Sequence, residues 1–135
     1  MDKKDVVKAM AGLDLCFMST RGAEGGISSR PMSNNGQVDW DGSNWFFSRG
    51  ETRKVKEIEQ DGAVELCFEG EGTWISLSGQ GKLHRDDREL FEEHWTDGLD
   101  EWFEDGIDTP GLTLIEVVAD RAEMWGKAGD GVVEL

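Results

Sequence analysis

The chain has 135 residues, 37% hydrophobic and 32% charged, a size and composition that suit one folded domain rather than a disordered segment. Its net charge of −15 argues against nucleic acid as a partner, because a polyanion would be repelled. No apolar run approaches the roughly 20 residues of a membrane span. The opening Met1-Asp2-Lys3-Lys4-Asp5 also lacks the apolar core of a secretory signal, so a cytoplasmic protein without membrane partners is expected.

In chain order, Lys3 to Leu13 reads as a helix, with Val6, Val7, Met10 and Leu13 on one stripe. Leu15 to Ser19 is a short strand, RGAEGG a hairpin turn, and Ile27 to Ser33 a polar strand that Pro31 places at an edge or a bulge. Gln37 to Trp40 is predicted as a short strand between two turn signals, and Asn44 to Arg49 as the next strand. Thr52 is expected to cap a helix that Asp61-Gly62 stops. Ala63 to Glu69 and Thr73 to His84 form a hairpin, the second arm alternating Trp74, Ser76 and Ser78 against Ile75 and Leu77. Asp86 to Trp95 follows as a helix, then an acidic irregular segment to Pro110 punctuated by Trp102 and Phe103. Two closing strands, Leu112 to Val118 and Arg121 to Trp125, precede a loose tail. Short strands with frequent turns predict a mainly β, antiparallel barrel decorated by helices, in a single domain over 1–135 with its core at about 5–126.

The segment Trp45 to Ile58 is the first candidate for chemistry. A strand ends at Ser48-Arg49-Gly50 and a helix begins near Thr52, so unpaired N–H groups, hydroxyls and the cations Arg53 and Lys54 share one helix end. Cations oppose the helix dipole there unless an anion satisfies both. A phosphate site and a solvated surface turn are the two readings. Arg30, beside Pro31, could reach the same anion or stand as an ordinary edge-strand charge. Cys16 and Cys67 match no metal spacing and read as buried free thiols. His84 and His94 read as packed or solvated histidines rather than metal ligands. The six tryptophans are core or interface residues, or a lid over a flat ring.

The ordered set CFMSTRGAEGGISSRPM, WFFSRGETRKVKEIEQDGAVELCF, WISLSGQGKL, EWFEDGIDTPGLTLIEV and AEMW resembles the pyridoxamine 5′-phosphate oxidase-like, FMN-binding split-barrel family, within it the general stress protein 26 group. The likeness covers about Asp5 to Gly126. It implies a six-stranded antiparallel split β-barrel, a homodimer, and FMN at the subunit boundary. By position, Arg30, Pro31 and Met32 would flank the flavin ring, with Arg30 the candidate to stabilise the reduced flavin. Phe47 and Ser48 would line ribityl and phosphate. Thr52, Arg53 and Lys54 would hold the phosphate, and Trp74 and Trp125 would approach from the partner chain. The family's oxidases bind their substrate phosphate with Tyr, Arg and Ser on a helix that reads DDRELFEEHW here, and end in an Arg- and His-bearing segment that Gly126 to Leu135 lacks. The resemblance thus implies flavin redox chemistry on a substrate other than a vitamin B6 phosphate. The alternatives are a non-catalytic flavin-binding stress protein, or a split barrel holding a deazaflavin or haem.

Overall fold

In the computed structural model, residues 1–34 and 39–135 are described. Helix α1, Lys3–Met10, opens on a reciprocal box in which the Asp2 carboxylate accepts the Asp5 N–H and the Asp5 carboxylate accepts the Asp2 N–H. Val6 and Met10 on its inner face are fully buried. The strands are β1 (Leu15–Arg21), β2 (Ile27–Ser33), β3 (Ser43–Arg49), β4 (Ala63–Gly70), β5 (Thr73–Arg85), β6 (Leu112–Gly126) and β7 (Gly131–Glu134). Helices α2 (Arg53–Gln60) and α3 (Arg88–His94) follow β3 and β5. The sheet is antiparallel throughout, in the order β2-β1-β4-β5-β6-β3, with β7 paired to β6 beside that path. Among the described residues β2 and β3 do not pair, so the six-strand path curls without closing. This is the split barrel implied by the resemblance. Pro31 lies on the terminal strand β2, where a missing N–H interrupts least.

Four expectations are corrected, the last of them only in its described part. The tail is not loose throughout: Val133 is buried and β7 continues the sheet, with Ala122 opposite Val133. The two closing strands are one 15-residue strand, bent by a bulge rather than broken. Gly79 pairs with Ala119 while Ser78 pairs with Arg121, so Asp120 is the extra residue. Cys67 is exposed, because strand alternation turns it outward between buried Leu66 and Phe68. Cys16 is buried as expected, and desolvation foremost pushes its thiol up to about 12. Of the predicted strand at Gln37 to Trp40, residues 35–38 lie outside the described residues and Asp39–Trp40 is not strand.

The barrel interior is filled from every strand of the six-strand path and from α1 and α2, with Met18, Phe46, Leu66, Ile75, Leu77, Ile115 and Val55 among its most buried members. A second, smaller cluster packs on the outside of β3 and β6, where Phe47, Leu112 and Leu114 meet Phe91, Leu99 and Phe103. The consecutive burial of Leu112 to Ile115 follows from this double cover, since one face looks into the barrel and the other under the α3 layer. Among the described residues no helix is long and apolar enough to cross a membrane.

The bulge depends on Gly79, where an added Cβ would fall on the Val118 carbonyl, whereas at Gly12 it would meet nothing within 4 Å. Gly79→Ala is expected to cost about 2 kcal/mol or more, and Gly12→Ala less than about 0.5 kcal/mol, in urea unfolding followed by tryptophan fluorescence. Equal losses would contradict the role of the bulge.

Candidate functional site

The two end strands of the sheet path line one cleft of about 350 Å³. Pro31, Met32 and Ser33 of β2 form one side, and Phe46 to Arg49 of β3 form the other. The beginning of α2 adds Thr52 and Lys54, and the segment between α3 and β6 adds Leu99, Trp102 and Phe103. The site is therefore the unclosed seam of the barrel. A larger cavity of about 500 Å³ lies near Arg85 and Arg88, but each of these is already paired with a carboxylate, Glu59 for the first and Asp108 and Glu92 for the second.

At the polar end, β3 stops at Arg49 and the chain turns through Gly50. The Gly50 N–H donates to the Gly111 carbonyl at 2.9 Å, and a Cβ at Gly50 would lie 2.8 Å from that oxygen. Thr52 holds the N-cap position of α2 without capping it by its side chain. Its hydroxyl donates instead to the Arg49 carbonyl at 2.9 Å and lies 3.1 Å from the Ser48 hydroxyl. Lys56 is the first residue of α2 to bond back, to the Thr52 carbonyl, so the N–H groups of residues 53–55 have no acceptor within the helix. No acidic residue occupies the first turn.

Lys54 is half-buried beside this helix end. Desolvation foremost, then the nearby Arg30 cation, holds its amine below the ordinary lysine value. Among the described residues no carboxylate forms an ion pair with it. Two neighbouring cations, a bare helix N-terminus and two hydroxyls make a donor set that suits a phosphate.

Arg30 and Arg53 stand behind this end of the cleft, both on Glu57 of α2. The Arg30 guanidinium donates to the Met18 carbonyl at 3.2 Å, to the Thr20 hydroxyl at 2.7 Å and to the Glu57 carboxylate at 3.4 Å. Thr20 in turn donates to Glu57 at 2.8 Å, and the Arg53 Nε donates to the other Glu57 oxygen at 3.3 Å. Glu57 is buried. The Thr20 hydrogen bond foremost, with Arg53 and Arg30, holds its carboxyl below the usual value against a desolvation that pushes it up.

The other end of the cleft is aromatic. Phe47 packs edge-on against Phe91 and Trp95, and Trp95 against Phe103. The Arg49 guanidinium sits 5.3 Å from the centre of the Phe103 ring and donates to the Trp102 carbonyl at 3.4 Å. Trp102 is 72% exposed at the mouth.

Of the residues singled out in the sequence, Pro31, Met32, Phe47, Ser48, Thr52 and Lys54 come together in the cleft. Trp74 and Trp125 do not line it. They are register partners on β5 and β6, 49% and 44% exposed, and with Leu15 and Phe17 they are the exposed large apolar side chains of β1, β5 and β6. Pro31, which lines the cleft, is the register partner of Phe17. Sequence reasoning missed Arg49, Leu99 and the wall role of Trp102 and Phe103. Two adjacent aromatics inside an acidic stretch were the available signal. His84 and His94 both stack on Trp45, with His84 Nε2 also 3.0 Å from Glu116.

A family model described as pyridoxamine 5′-phosphate oxidase like matches residues 2–135. No curated protein matches the chain. The fold is similar to that of a Clostridium acetobutylicum protein related to general stress protein 26 of the pyridoxinephosphate oxidase family, with a TM-score of 0.82 and 20% identity over 100% of this chain and 97% of that one. It is also similar to general stress protein 26 of Bacillus anthracis, with a TM-score of 0.80 and 17% identity over 98% of each chain. For the general stress FMN/FAD binding protein of Xanthomonas citri the TM-score is 0.77, with 23% identity over 98% of this chain and 94% of that one. The chain belongs to the pyridoxamine 5′-phosphate oxidase-like family.

Proposed function

We propose that the chain is an FMN-binding flavoprotein of the general stress protein 26 type, working as a homodimer. The observation that carries this reading is the charge arrangement at the seam: Lys54, half-buried with no carboxylate partner among the described residues, beside a helix whose first turn has no acidic residue. Such an arrangement is costly unless an anion occupies it. The cleft is polar and cationic at one end and walled by Phe47, Phe103 and Trp102 at the other, which suits a phosphate joined to a flat ring. The name of the Xanthomonas citri protein points the same way.

In this reading Lys54, Thr52, Ser48 and the free N–H groups of α2 hold the phosphate, with Arg53 within reach. Pro31, Met32 and Phe47 hold the ring. Arg30 remains on Thr20 and Glu57 as a fixed positive charge beside the site. FMN would supply hydride or electron transfer, while the chain supplies position and electrostatics. The acidic α3 layer offers little attraction to a second anion, so the redox partner is not a phosphate ester of the vitamin B6 kind. The exposed Leu15, Phe17, Trp74 and Trp125 suit burial against a second copy, and that face reaches the cleft at Pro31.

Arg53→Ala combined with Lys54→Ala should weaken FMN binding at least tenfold in a flavin-fluorescence titration, about 1.4 kcal/mol. Unchanged affinity would remove the phosphate site. Because Lys54 gives up its proton below the ordinary 10.5, FMN affinity should fall as pH rises toward that lowered value. Lys54→Arg should abolish the fall, since a guanidinium stays charged. A flat wild-type profile speaks against Lys54 as the phosphate cation. In light scattering the wild type should have the mass of two chains, and Trp74→Glu with Trp125→Glu should give monomers that bind FMN more weakly. A wild-type monomer that retains FMN would contradict a shared site.

A further inference from the structure

Glu57 has no part in the phosphate site as proposed, yet both Arg30 and Arg53 end on it. We propose that Glu57 is a positioning residue that sets how strongly the cleft attracts a phosphate: it holds Arg30 in place permanently and keeps Arg53 as a reserve cation that an incoming phosphate takes over. The inference rests on the FMN reading and assigns a role to a residue that reading leaves unused.

The two arginines are held very differently. Arg30 has three acceptors and a side chain only 20% exposed, which fixes it against β1. Arg53 makes one contact to Glu57, four residues along the same helix, and its side chain is 75% exposed. With most of its side chain in solvent and one contact to release, Arg53 can turn to a doubly charged ligand at the helix start. Glu57 itself has little freedom to follow. Thr20 bonds it, and the backbone at Gly22 is so close that a Cβ there would lie 2.9 Å from its Oε2. The charges point the same way. Arg30, Arg53 and Lys54 are positive and Glu57 is negative, so removing the Glu57 charge raises the net positive charge that the roughly two negative charges of a phosphate monoester meet above pH 7.

The test compares FMN with riboflavin, which has the same ring and ribityl chain but no phosphate. Glu57→Gln keeps the shape and removes the charge. It should tighten FMN at least threefold, steepen the loss of FMN affinity with added salt, and leave riboflavin within about twofold. An unchanged or weaker FMN affinity overturns the proposal, and so does a parallel change in both ligands, which marks Glu57 as merely structural. Should Glu57→Gln fail to fold by circular dichroism, Arg53→Ala carries the test: a loss of threefold or more for FMN with riboflavin unaffected supports the reserve role, and no loss for FMN overturns it. If the wild type binds neither flavin, the FMN reading itself fails, and inorganic phosphate becomes the probe. A larger phosphate-induced rise in melting temperature for Glu57→Gln than for wild type then supports the charge-setting role, and an equal or smaller rise overturns it.

Discussion

The architecture turns on a sheet that curls until its two end strands face each other without bonding. β2 and β3 are far apart along the hydrogen-bonded path, which runs through β1, β4, β5 and β6, yet both line the same cleft. A closed barrel would have filled that space with backbone hydrogen bonds and side chains. Leaving it open exposes strand edges, which proteins otherwise cover or blunt. Here Pro31 removes one donor from the β2 edge, and the start of α2 and the aromatic wall flank the opening at β3. What remains is a slot with strand on two sides and a helix start at its end.

The slot keeps its shape because β3 has a core on each face. Phe46 faces the barrel and Phe47 the outer cluster, so neither face of the strand is free to shift. The outer cluster also explains why a strongly acidic segment, with Asp97, Asp100, Glu101, Glu104, Asp105 and Asp108, folds at all. Leu99, in the first of two short 3₁₀ turns, and Phe103, between the two, anchor it while its carboxylates face solvent.

Much of this was legible in the sequence because strands announce themselves by alternation and turns by glycine. Trp74 to Leu77 alternates, and its pattern matches the observed burial. The unbroken run Phe46-Phe47-Ser48 cannot be placed by alternation, since burial on both faces depends on what packs outside. The closing strand was divided in two because a bulge and a turn look alike locally; only the long-range pairing of Gly79 with Ala119 separates them. Within the site, local order identified the helix start with its Thr and Lys. It could not show that Arg30 and Arg53 share Glu57, because that arrangement brings together residues 27 positions apart through two strands and a helix. In the sequence, Glu57 is one acidic side chain among many.

The contact between Gly50 and Gly111 has a mechanical consequence. It joins the end of β3, just before α2 begins, to the last residue before β6, and no side chain intervenes. Moving the aromatic wall outward would therefore pull on the turn that leads into α2. In the reading proposed above, a ligand would meet a polar end and an aromatic wall whose connection runs through this one backbone contact.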